Sequence, residues 1–144
     1  MPKEQEPRPA QRIRLILGDQ LNAAHSWYTE RDSHTLYVLM EVRQETDYAW
    51  HHVQKVLGFF GAMRRFAEQL KAHGHRVLYL TLNDPRNTQS IPDNLNWILE
   101  QTGATAWGYQ MPDEHRLDQQ LRDFAVHAGC AVEVADTEHF LTTR

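Results

Sequence analysis

Four short stretches of this sequence carry side chains able to do chemistry together. Gly18-Asp19-Gln20-Leu21 sets a glycine beside a carboxylate and a carboxamide, so backbone can approach a ligand closely while Asp19 and Gln20 supply polar contacts. An ordinary Gly-Asp turn explains the same residues equally well. Met40, Glu41 and Glu45 follow an apolar run, and the two carboxylates could face one crevice. Glu45 is also accounted for by the preference of helix N-termini for negative charge. His51-His52 invites a metal, but neighbours on a helix point about 100° apart, and Lys55 and Val56 stand where a further ligand is needed. Phe59 lies off the apolar stripe that contains Phe60, which makes it the aromatic free to touch a ligand.

Other chemistries lack their residues. There is no G-x-G-x-x-G and no G-x-x-x-x-G-K-[ST], so neither dinucleotide fingerprint nor phosphate loop is expected. Ser26 has His25 beside it but no G-x-S-x-G context. Cys130 is the single cysteine, which rules out an internal disulfide or a Cys-rich metal site, and it reads as a small buried hydrophobe. Asp19 and Asp84 lack the paired acidic cluster and the lysine of a phospho-receiver.

The elements that position these residues follow from periodicity. Ile13, Leu15, Ile16 and Leu17 form an apolar run stopped at Gly18, and 35–40, 77–82 and 131–134 are further strand-like runs, with a weaker one over 104–109. Val53, Val56, Phe60, Met63, Ala67 and Leu70 recur at three and four residues and predict a helix over about 45–73, capped by Gly74. Shorter helices are predicted from an Asp93 or Asn94 cap to Gly103, and from Leu117 to Gly129. Residues 20–34 read as a long loop with one helical turn at most. Five alternations of strand and helix predict an α/β fold: a doubly wound, Rossmann-like parallel sheet of five strands with helices on both faces. Its ligand site belongs beyond the carboxyl ends of the strands, near the switch point.

Composition bounds the rest. The 144 residues suffice for one domain, and 41% apolar with 24% charged is ordinary for a globular protein. With 15 Lys+Arg against 19 Asp+Glu the net charge is −4, which argues against autonomous binding to nucleic acid. No apolar run approaches the roughly 20 residues of a membrane helix, and the polar, Pro-rich start resembles no signal peptide. We therefore expect a cytoplasmic protein with a disordered tail over 1–11 and one α/β domain over 12–136.

The segments Arg14 to Leu21, Met40 to Glu45 with Tyr48, and His51-His52 with Lys55 and Phe59 to Ala67, in this order and spacing, resemble the amino-terminal part of the photolyase-related proteins. These form the bacterial iron–sulfur branch of the photolyase/cryptochrome family. The resemblance implies an antenna domain holding 6,7-dimethyl-8-ribityllumazine. It carries Gly18, Asp19, Gln20, Met40, Glu41, Glu45, Lys55 and Phe59 over as chromophore-binding residues. It also implies a downstream helical domain with FAD, the iron–sulfur cluster and the DNA-binding face, in a protein that repairs (6-4) photoproducts or senses light. Residues 137–144 correspond to the start of the linker to that domain, so DNA is expected as a partner only through the longer protein, and this chain alone is expected to be inactive in repair. Two other readings stay open: a free-standing α/β enzyme or binding module for a nucleotide-like molecule, and an interaction module using Trp27 and Tyr28 as contact surface.

Overall fold

A computed structural model describes residues 9–18, 20–29, 32–42, 53–112 and 115–135, with 53–59 described in backbone only. Five strands, β1 (Arg12–Leu15), β2 (Thr35–Met40), β3 (Arg76–Leu80), β4 (Ala106–Gln110) and β5 (Ala131–Ala135), form one sheet in the order β3-β2-β1-β4-β5. Every pairing is parallel, with Ile13 opposite Leu36 on one side and Trp107 on the other. The helices are α1 (Val53–Ala72), α2 (Ile91–Thr102) and α3 (His115–Ala128). This is the doubly wound α/β architecture that the alternation predicts. All six residues of β2 are buried, as expected for an inner strand covered on both faces.

Strand alternation divides the core in two. Ile13, Leu15, Val38, Met40, Leu80 and Trp107 meet α2 and α3 on one face. Ile16, Tyr37, Leu39 and Tyr79 meet Phe60, Met63, Phe66, Ala67 and Leu70 of α1 on the other. From Phe60 on, the predicted stripe of α1 is thus the buried one, with Phe66 added to it, while Val53 and Val56 lie where side chains are not described. Gly74 ends this helix at φ 92°, a conformation that L side chains avoid. Its N–H reaches the Lys71 carbonyl and that of His75 reaches Leu70, a Schellman closure. The segment 43–52, where the helix was expected to begin, lies outside the described residues, as do 1–8 and 136–144.

Three expectations need correction. The cap of α2 is Ser90, whose hydroxyl accepts from the Asp93 N–H at 3.4 Å, because Pro92 already occupies the first turn and shifts the start upstream of Asp93. β1 is shorter than the apolar run: Ile16 and Leu17 are buried but lie beyond the strand, in the approach to the turn at Gly18. The long loop is not a contact surface built on Trp27 and Tyr28. Residues 26–28 form a 3₁₀ turn that lays both rings onto the α1 side of the sheet. Trp27 is only 7% exposed, and the Arg14 guanidinium lies 5.0 Å from its ring centroid. The Tyr37 hydroxyl donates to the Trp27 carbonyl at 2.8 Å and accepts from Arg14 Nη1 at 3.1 Å. In this way the first crossover covers β1 and β2 with only a short 3₁₀ turn among its described residues.

β5 closes the opposite edge and leaves Val132 and Val134 largely exposed. Between β5 and β1, Gly108 is required by close approach: a Cβ there would stand 3.0 Å from the Glu133 carbonyl oxygen. Among the described residues no helix is long and apolar enough to cross a membrane.

Candidate functional site

Strand order reverses at β1, so the switch point lies between the carboxyl ends of β1 and β4. Gln20 stands across that gap. Its own N–H returns to the Leu17 carbonyl at 3.0 Å, closing a turn through Gly18, and its side-chain oxygen accepts from the Leu17 N–H at 3.2 Å. Its amide nitrogen donates to the carbonyls of Gln110 at 3.0 Å and Met111 at 3.5 Å. Only 1% exposed, Gln20 stitches β1 to β4 at the switch point. The Gln110 amide beneath it finds no partner among the described residues. Gln20→Leu is expected to lower stability by about 1–3 kcal/mol, because buried backbone groups at both strand ends lose their partners. Urea denaturation checks this, and a loss under about 0.5 kcal/mol would show that water replaces the amide.

On the other side of β1 lies the carboxyl end of β2, beside α1. Met40 and Glu41 reach it on successive residues and therefore point to opposite faces. Met40 enters the core under α2, where its sulfur accepts from Asn94 Nδ2 at 3.3 Å. Glu41 turns toward α1 and is fully buried. Arg64 grips it with two parallel bonds, Nε to Oε2 at 2.7 Å and Nη2 to Oε1 at 2.9 Å. The Tyr79 hydroxyl donates to Oε2 and the Leu82 N–H to Oε1 at 2.9 Å. Both oxygens thus accept two hydrogen bonds each, and the carboxylate is fully committed inside the protein.

The electrostatics agree with that count. Burial pushes the Glu41 carboxyl up, but the Arg64 and Tyr79 hydrogen bonds, the Leu82 amide and the Arg64 charge outweigh it and hold the carboxyl below the usual glutamate range. Burial and then the adjacent carboxylate push the Tyr79 phenol up, so it remains a donor. The hydrogen bonds that Arg64 donates to Glu41 raise the guanidinium above its ordinary value.

A second set of amides supports this corner. Asn87 Nδ2 donates to the Glu41 carbonyl at 2.7 Å and to that of Thr81 at 3.0 Å, while its oxygen accepts from Asn94 Nδ2 at 3.0 Å. The loop after β3 is thereby pinned to the end of β2. A groove of about 480 Å³ runs outside the Arg64–Tyr79 pair, past Lys71, Asp84 and Arg86. Its cations are already matched, Lys71 to Glu68 at 3.3 Å and Arg86 to Asp84 at 2.8 Å, so it offers an anion no surplus charge.

Of the eight residues singled out from the sequence, Gly18, Gln20, Met40 and Glu41 have described surroundings, and all four are buried. Lys55 and Phe59 lie on the opening turns of α1, where only the backbone is described. Asp19 and Glu45 fall outside the described residues. Sequence reasoning gave no role to Arg64, Tyr79 or Asn87 and took Asn94 for a possible helix cap, whereas its side chain is buried against Asn87 and Met40. A signal existed for one pair: a glutamate leaving a buried strand needs a cation, and Arg64 is the arginine on the helix that follows whose neighbours Met63 and Phe66 face the sheet. Among the described residues no three His, Cys, Asp or Glu side chains are grouped to hold a metal.

Comparison with known proteins adds two findings. A family model described as deoxyribodipyrimidine photo-lyase-related protein matches residues 14–144. A (6-4) photolyase of Agrobacterium fabrum is 32% identical over 130 residues, which is 90% of this chain. The chain spans only 26% of that relative's length.

Proposed function

Because the chain belongs to the deoxyribodipyrimidine photo-lyase-related family, we propose that its α/β sheet is an antenna unit that binds 6,7-dimethyl-8-ribityllumazine at the β1–β2–α1 end. The observation that carries this reading is the family match across 14–144, supported by a relative in which the corresponding region is about a quarter of the protein.

The donor set fits such a group once committed residues are set aside. Gln20, Met40 and Glu41 are spent on interior partners. The other side chains that the family resemblance carries over are Asp19, Glu45, Lys55 and Phe59, two carboxylates, an ammonium and an aromatic ring. A lumazine needs an apolar or aromatic surface for its ring, a donor for its ring carbonyls and acceptors for its ribityl hydroxyls. Phe59, Lys55 and the two carboxylates answer those needs in turn. The bound group supplies absorption of near-ultraviolet and blue light; the chain supplies binding, orientation and exclusion of water. In a longer protein of this family, FAD, an iron–sulfur cluster and a DNA-binding surface belong to a separate helical part. Repair of (6-4) photoproducts or cryptochrome-like signalling is then the activity of that whole protein.

Titration of the chain with 6,7-dimethyl-8-ribityllumazine, followed by fluorescence, tests the proposal. Glu45→Ala is expected to weaken binding about tenfold to hundredfold, since a hydrogen bond to a charged group contributes about 1.5–3 kcal/mol. Phe59→Trp is expected to block the pocket while the fold survives. A parent chain that takes up no lumazine overturns the antenna reading and favours a nucleotide-like ligand.

A further inference from the structure

Alternation along β4 sends Trp107 and Tyr109 into the core under α2 and α3, so Gly108 and Gln110 point to the opposite face. There Gly108 stands opposite Arg14 in register, and Gln110 is the next side chain toward the carboxyl end. The chain of 20–29 crosses this region. Trp27 lies over the Arg14 guanidinium, Tyr28 packs on Tyr37 at 5.2 Å between centroids, and Gln20 donates to the Gln110 carbonyl. Four polar atoms are sealed in here with no hydrogen-bond partner among the described residues: Arg14 Nε, the Tyr28 hydroxyl, and both the nitrogen and the oxygen of the Gln110 carboxamide. Gln110 is 0% exposed, so bulk solvent does not serve it. Burial and then Tyr37 push the Tyr28 phenol up, while the nearby Gln110 amide and Arg14 charge partly offset them. Gln110 thus approaches the Tyr28 hydroxyl without the geometry of a hydrogen bond.

We propose that a long-lived internal water is bound under the 20–29 crossover by Gln110, Tyr28 and Arg14, and joins that crossover to β1 and β4. Chemistry selects the occupant. The Arg14 and Gln110 N–H groups donate, the Gln110 oxygen accepts, and the Tyr28 hydroxyl does either. An anion would face the Gln110 oxygen and a cation the Arg14 guanidinium, so a neutral molecule that both accepts and donates fits the set. A buried water typically makes about three such bonds to groups that the protein leaves unsatisfied. This inference stands on the protein alone and is independent of the lumazine reading.

Denaturant unfolding of the chain, of Gln110→Leu, of the milder Tyr28→Phe and of the double variant tests the site. With water held, each single change strands the partners that remain and should lower the folding equilibrium constant about fivefold to thirtyfold. The double variant should lose less than the product of the two, because both changes empty one site. In a dry interior, removing an unsatisfied group raises the constant instead. A rise or no change in either single variant therefore overturns the proposal, and so do losses that simply multiply. In the parent chain, magnetisation should pass from a bound water to the Gln110 side-chain amide protons. Absence of that transfer overturns the proposal even where both variants lose stability. So does a Gln110→Leu loss that vanishes in an Asp19→Ala background, since that carboxylate would then be the partner.

Discussion

Phe60→Ala is expected to lower the free energy of unfolding by about 3–5 kcal/mol. Phe60 is 6% exposed and is the first described side chain of α1 to enter the core, beside Met63, Leu39 and Tyr79. Deleting the ring loses its transfer energy and leaves a cavity that cannot collapse fully, because Met63 and Leu39 are already packed at 0% exposure. Denaturant unfolding of the chain checks the effect, and a loss below about 1 kcal/mol would place the ring outside the core.

Trp107→Ala is expected to cost a similar amount, about 3–5 kcal/mol, on the other face of the sheet. Trp107 is fully buried on β4, stacked on Tyr109 at 5.2 Å between centroids and edge-on to Phe124 of α3 at 5.3 Å. It joins β4 to α3 across this face of the sheet. Its indole N–H finds no hydrogen-bond partner among the described residues. Trp107→Phe should therefore lose much less than Trp107→Ala, since removing an unsatisfied buried donor offsets part of the lost volume. Equal losses in the two variants would mean that the N–H has a water partner worth as much as the ring.

What the sequence alone determined was everything encoded in local period and punctuation. Alternation of apolar runs with three-and-four spacing specified a parallel sheet, because each strand buried on both faces needs a helix to return the chain. The stripe through Phe60, Met63, Ala67 and Leu70 identified the inward face of α1, and Gly74 its end. Tertiary structure alone decided that Met40 and Glu41 enter opposite sides of the sheet, and which partners the buried polar residues meet. Glu41 meets Arg64 across 23 residues and Tyr79 across 38, and Gln20 reaches Gln110 across 90. Such pairs leave no local signature, because a glutamate or glutamine reads the same whether it faces a ligand or a buried donor. Residues 20–29 show the same limit: their polar character predicts a surface loop, yet Trp27 and Tyr28 are drawn onto the sheet. The reason lies in β1 and β2: the Arg14 guanidinium sits over the Trp27 ring, and Tyr37 packs against both rings with His75 alongside.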